Sequence, residues 1–398
     1  MNTDQFLRST PPHWQSLKVK YLVALQSGDA IDAKAIADTG EYPVYGGNGL
    51  RGYTNNFNHE GERILIGRQG ALCGNVNYAS GRFWATEHAI VATPRREFNT
   101  TWLGESLRAM NLNQYSQSAA QPGLAVEVIE NLNIAAPTIS EQQTIAQNLT
   151  KENDRIDLLI NEKRRLILLL GEKRHALIAS SVTNGLNPNT PRRDSGIPWL
   201  GEIPVHWTIE RAKWLFVERD IRSDSGDEEL LSVSHLSGVT SRAEKNVNMF
   251  MAESLEGYKR CEAGDLVINT LWAWMGAMGV ARQPGIVSPA YNVYQPLPVL
   301  DPEYVDLLVR TPRFAEEITR YSKGVWSSRL RLYPEGLYEA WLPVPPKEEQ
   351  QAIAAYVLEE TKKIDNFAQA TERTIALLQE RRSALISAAV TGQLDLDK

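Results

Sequence analysis

Residues 141–186 recur at 349–394 without a gap, with about 20 of 46 positions identical. No other feature constrains the fold as much, because an internal repeat sets the architecture before any local signal does. The shared residues include Glu141-Gln142-Gln143 with Glu349-Gln350-Gln351, Ile156-Asp157 with Ile364-Asp365, Ala176-Leu177-Ile178 with Ala384-Leu385-Ile386, and Val182-Thr183 with Val390-Thr391.

Each copy reads as one long helix. The first follows Pro137 and opens on Ser140-x-x-Gln143, the spacing of a capping box; the second follows Pro345-Pro346. Gly185 and Gly392 supply C-terminal stops. Apolar residues recur near heptad spacing at Leu149, Ile156, Leu159/Ile160, Leu166/Ile167, Leu170 and Leu177. The second copy answers with Val357, Ile364, Phe367, Ile375, Leu378 and Leu385. Such a seam needs a partner helix, and the other copy is at hand. About 40 residues at ~1.5 Å each make a rod of about 60 Å.

The regions ahead of the helices repeat more faintly. Pro-x-His-Trp ends at His13-Trp14 and again at His206-Trp207, the second after the linker-like residues 187–196. Both pairs read as structural anchors. Residues 61–67 and 264–269 each run from a charged turn into a buried strand. The order is domain, helix, domain, helix, an α+β chain whose domains are mixed, strand-rich and punctuated by Gly/Asn turns.

Composition narrows the function. A chain of 398 residues with 42% apolar and 23% charged content is ordinary for a soluble protein of two or three domains. No run reaches a membrane span, and the polar start is unlike a secretory signal. Cys73 and Cys261 stand alone, outside any metal or disulfide spacing, which fits a reducing cytoplasm. The net charge of −6 is unpromising for a DNA-binding chain, but the charge is uneven. Residues 319–334 hold Arg320, Lys323, Arg329 and Arg331 without an acid, while acids crowd 220–229 and 253–265. DNA contact is therefore expected to be local or shared with partners.

Catalytic signatures are missing. Gly46-Gly47-Asn48-Gly49 lacks the lysine and spacing of a phosphate loop, no dinucleotide-type glycine fingerprint follows a strand, and the six histidines have no metal-ligand spacing. Glu360-Thr361-Lys362 lies inside the second helix, where charges are normally a solvated face. The chain reads as non-catalytic, with no cofactor of its own.

Several loops carry the chemistry that reads DNA. Residues 45–53 form a glycine-rich hairpin with Asn48, Arg51 and Tyr53, and Gly67-Arg68-Gln69-Gly70 follows a strand. Arg and Gln suit guanine and adenine edges, and glycine lets backbone approach closely. A plain surface turn is the competing reading. In the second domain the matching segment holds Trp272 and Trp274, open to base contact or to core packing. Residues 320–331 mix Lys323, Trp326, Ser327, Arg329 and Arg331 around a glycine, the composition of a phosphate- and base-contacting loop. Their counterpart, residues 111–123, is polar but nearly uncharged, so the two domains are expected to read different sequences.

Taken together, these residues resemble the specificity subunits of type I restriction–modification systems. The resemblance rests on the domain–helix–domain–helix order and the Pro-x-x-x-Glu-Gln-Gln start of each helix. It extends to Tyr45-Gly46-Gly47-Asn48-Gly49, Gly67-Arg68-Gln69-Gly70, the run 264–270, and Ser288-Pro289-Ala290-Tyr291-Asn292-Val293. It implies two target recognition domains, at 1–139 and 191–345, separated by helical spacers at 140–190 and 346–398 that form an antiparallel coiled coil. Each domain would read half of a bipartite site in double-stranded DNA. Two methyltransferase (modification) subunits using S-adenosylmethionine would dock on the helices, and restriction translocase–nuclease subunits using ATP and Mg would join for cleavage. A coiled-coil scaffold that reads no DNA and a free-standing DNA-modifying enzyme are the alternatives.

Overall fold

The repeated sequence is a repeated structure. The computed structural model describes residues 10–70, 72–116, 123–244, 254–324 and 330–394. These fall into two units, residues 1–164 with 372–398, and residues 165–371.

In the first unit, a four-stranded antiparallel sheet runs in the order Val23–Ser27, Ala89–Pro94, Arg63–Gly67, Val76–Ala79. The strand Arg63–Gly67 is buried on both faces, and its period of two divides the core. Ile64 and Ile66 point into the main cluster with Ile90, Trp102, Leu103 and Leu107. Leu65 points the other way, against Phe83, Ala85 and Val91. A second four-stranded sheet, Gly49–Thr54, Tyr42–Gly46, Arg82–Ala85, His59–Glu60, supplies that outer layer. Gln15–Lys18 pairs with Asn133–Ala136, so the start of the domain lies beside the strand that leads into the helix Ile139–Asn184.

The second unit builds the same frame. Phe216–Glu218, Tyr291–Pro296, Leu266–Asn269 and Met278–Val280 form a four-stranded sheet in equivalent order, and Thr208–Arg211 pairs with Trp341–Val344. Leu266 and Ile268 face the main core with Trp207, Tyr294 and Tyr304, while Val267 joins Leu231, Val233 and Val287 on the other side.

The motifs shared by the two copies do the same work in both. His13 Nε2 lies 2.7 Å from Glu141, and His206 Nε2 lies 2.7 Å from Glu349. Trp207 also donates to Glu349, at 3.1 Å. The glutamine that follows is a bridge. Gln142 donates to the Pro137 carbonyl and accepts from the Asn99 amide; Gln350 donates to the Pro345 carbonyl and accepts from the Asp301 amide. Asn99 and Asp301 are themselves the N-caps of the helices Thr100–Ala109 and Pro302–Val309. Pro-x-His-Trp and Glu-Gln-Gln thus clasp each domain to the start of its long helix, as anchors should.

Both long helices form, with 46 residues in Ile139–Asn184 and 44 in Lys347–Val390. Gly185 and Gly392 follow with φ of +74° and +68°, a conformation that only glycine adopts without strain. The capping box differs from the expected one. Thr138 and Glu141 bond reciprocally, because the helix begins at Ile139 and leaves Ser140 inside its first turn.

Within each unit the two long helices pair antiparallel. In the first, Ile145 and Leu149 meet Ile386, Ala389 and Val390, and Asp157 pairs with Arg382. In the second, Val182 meets Ile353 and Val357, and Arg174 pairs with Asp365 at 3.2 Å. Asp157 and Asp365 are equivalent in the repeat, as are Arg174 and Arg382, so one ion pair is made twice. Phe367 and Leu159, also equivalent, depart from the expected seam: they are 53% and 41% exposed. Ile160 is the buried residue of that turn in the first copy.

Candidate nucleic-acid interface

In the first unit the loops converge through close backbone contact. A Cβ added at Gly67 would stand 2.4 Å from the Gly47 carbonyl oxygen, so only glycine lets the hairpin tip dock on the turn after Arg63–Gly67. Asn75 Nδ2 donates to Asn48 Oδ1 at 3.1 Å across the same junction. The Arg68 amide donates to His88 O at 2.8 Å, and the Arg68 carbonyl accepts from Leu124 at 2.9 Å. Together these loops frame an open depression of about 500 Å³ lined by Asn48, Arg51, Gln69, Leu72 and His88 beside Gly47 and Gly70.

Arg51 reaches the depression because of a β-bulge. Val44 pairs with Gly52 and Tyr45 with Leu50, which leaves Arg51 as the extra residue, and bulges re-aim side chains in this way. Among the described residues, Arg51, Arg68 and Gln69 have no side-chain partner, so their donors are free for a ligand. The structure therefore gathers Asn48, Arg51 and Gln69. Arg68 stands beside them, half-buried. Tyr53 lies outside, its backbone paired with Ala37. Sequence reasoning passed over His88 and Leu72; only the pairing of Gly67 with Ala89 brings that turn to the site.

In the second unit the equivalent main-chain bond runs from the Leu332 amide to the Thr270 carbonyl, at 2.9 Å. It sets the basic segment against the turn after Leu266–Asn269. Lys323 and Arg331 exchange backbone hydrogen bonds of 2.9 and 2.8 Å, and both side chains are exposed. The Arg331 guanidinium lies over the Tyr333 ring at 5.4 Å. Trp326, Ser327 and Arg329 fall outside the described residues. Trp272 and Trp274 stack with centroids 6.1 Å apart; Trp272 is 50% exposed and Trp274 partly so, while Ala273 between them is the buried residue. A core role for Trp272 is thereby set aside. Each unit thus offers hydrogen-bond donors and cations on one group of loops, joined in the second by flat apolar surface, a combination suited to phosphates and base edges.

Among the described residues, no group of three or more His, Cys, Asp or Glu is placed to hold a metal. Among the same residues, no helix is long and apolar enough to cross a membrane.

Comparison with known proteins places likenesses beside this geometry. Residues 11–167 match the family model for the type I restriction modification DNA specificity domain. The specificity subunit of the EcoprrI type I restriction enzyme of Escherichia coli is 46% identical over 134 residues, 33% of each chain. A putative type I specificity subunit of Haemophilus influenzae is 28% identical over 114 residues, 28% of this chain and 30% of that one. The chain thus spans about a third of the length of these relatives. At the level of fold the likeness covers nearly everything. A structure solved in work on assembly and conformational transition of the type I R-M system matches with a TM-score of 0.64 at 15% identity, over 97% of this chain and 99% of the other. The HsdS subunit from Thermoanaerobacter tengcongensis matches with a TM-score of 0.53, also at 15% identity, over 97% and 98%. The sequence likeness to type I specificity subunits thus covers about a third of the chain, and the likeness in fold nearly all of it.

Proposed function

We propose that this chain is the DNA specificity subunit of a type I restriction–modification complex, non-catalytic itself, and that each of its two units reads one half of a bipartite duplex site. The observation that carries the reading is the doubled frame: one sheet order and one clasp, built twice, with different side chains on the equivalent loops. In the first unit Asn48, Arg51, Arg68 and Gln69 meet the DNA, with Tyr53 at the margin. In the second, Lys323 and Arg331 meet phosphates and the base edges beside them, and Trp272 and Trp274 offer flat surface; Trp326, Ser327 and Arg329 belong to the same segment.

The recognition domains span 1–139 and 191–345, and the helical spacers 140–190 and 346–398 carry the partners. Leu169 and Leu377, equivalent in the repeat, are 51% and 62% exposed, as Leu159 and Phe367 are at another equivalent pair. Exposed apolar residues at matched positions fit two copies of one partner, an adenine methyltransferase (modification) subunit. S-adenosylmethionine belongs to that partner, whose target base must leave the stack. ATP and Mg belong to a translocase–nuclease subunit. Burial pushes the Cys261 thiol up to about 12 and raises that of Cys73, which disfavours the thiolate that a nucleophile needs. The complex works in the cytoplasm.

Co-expression with the cognate modification subunit, followed by mapping of methylated adenines, tests the proposal. A motif of two short half-sites separated by unspecified bases is expected. Methylation by this chain alone would point to a free-standing enzyme, and an unaltered partner specificity would leave only a scaffold.

A further inference from the structure

The depression of the first unit holds a side chain that the loop motifs did not indicate. We propose that His88 is a specificity-determining residue that contacts a base edge in the half-site read by the first unit, an inference resting on the reading of that unit as a DNA reader.

Its backbone is gripped on several sides. The Ala89 amide donates to the Thr86 carbonyl at 2.9 Å, closing the turn between Arg82–Ala85 and Ala89–Pro94. The His88 carbonyl accepts from Arg68, and a Cβ on Gly47 would come within 3.0 Å of the same oxygen. The turn cannot adapt much, yet the imidazole is 43% exposed and lines the depression with Asn48, Arg51 and Gln69. Its partner is Glu87, at 3.2 Å and 42% exposed, a contact between two accessible groups that contributes little. A ring so placed offers a donor and an acceptor that no fold contact needs, and base edges in the major groove present both.

The second unit shows what the frame requires at this point. The corresponding residue is Ala290, whose carbonyl accepts from the Thr270 hydroxyl at 2.7 Å, where the His88 carbonyl accepts from Arg68. The backbone role is kept and the side chain is a methyl. The imidazole is therefore surplus to the fold, and its chemistry is available for the ligand.

Selection of bound duplexes from a randomised library tests this with the full chain, as wild type, His88→Ala, His88→Gln and Arg51→Ala. His88→Ala is expected to lower base discrimination about tenfold at one position of one half-site and leave the other half unchanged. His88→Gln, which keeps a donor and an acceptor, is expected to alter the preferred base at that same position. Arg51→Ala should relax the same half-site. If Arg51→Ala relaxes a half-site while both His88 variants keep the full motif, the role of His88 is overturned and the DNA reading stands. If all three keep it, both are overturned.

Discussion

The two units share a frame and differ in what covers it. In both, the central strand is buried on two faces and the inner face packs on helices. The outer face carries a second four-stranded sheet in the first unit. In the second it carries two two-stranded pairs, Leu231–Ser234 with Gly238–Ser241 and Lys259–Cys261 with Gly285–Val287. The inner face is tied to the clasp and the long helices, so a change there must be matched in many places. The outer cover and the loops answer only to local packing, so they can diverge while the frame holds. That division suits the proposed reader, which would keep one assembly and read two sequences.

The clasps give the largest test of that equivalence. Trp207 is almost wholly buried and bonded to Glu349, whereas Trp14 is half-buried and its Nε1 has no partner among the described residues. Urea unfolding should show Trp207→Ala costing about 3–5 kcal/mol. Trp14→Ala should cost about 1–3 kcal/mol, in keeping with its smaller burial. Equal losses would show that the first clasp is as tight as the second.

Docking comes next. Leu169→Glu and Leu377→Glu should each weaken one of two bound modification subunits by about 100-fold, and the double variant should weaken both. Native mass measurement of the complex reads the stoichiometry. A single variant that sheds both copies, or a double variant that sheds neither, would break the matched-surface reading.

Charge on the loops should have a smaller, countable effect. Lys323→Ala with Arg331→Ala should flatten the slope of log affinity against log salt by nearly two units, and Arg51→Ala by nearly one. An unchanged slope in either case would place that cation away from phosphate.

The smallest effect is in acid. Burial raises the Glu141 carboxyl, but hydrogen bonds from His13 and Thr138 outweigh it and bring it down to about 2. A carboxylate lowered in the folded state stabilises above its ordinary range and loses that contribution as pH falls through the folded value. The stability advantage of wild type over Glu141→Gln should therefore be full at about pH 5 and shrink toward about pH 2. A gap that stayed constant over that range would mean the clasp does not depend on the charge.

Much of this was legible in the residues. The repeat gave both long helices, their glycine stops, the two buried strands and the anchoring role of His-Trp, because each is a local pattern or a pair of identical ones. What was not legible depends on pairing across the chain. The bulge that turns Arg51 toward the site exists only where Val44 meets Gly52, and His88 joins it only where Gly67 pairs with Ala89. The cap moved from Ser140 to Thr138 because Glu141 answers both Thr138 and His13, more than a hundred residues away. The division of each long helix between the two units has no sequence mark at all.

That two units on a common frame read separate halves of one site is tested most directly by mapping the methylated motif for two paired variants, Arg51→Ala with Gln69→Ala, and Lys323→Ala with Arg331→Ala. The expected result is that each pair relaxes one half-site and that the two relaxed halves are different. If both pairs relaxed the same half, or either relaxed both, the units would not be separate readers.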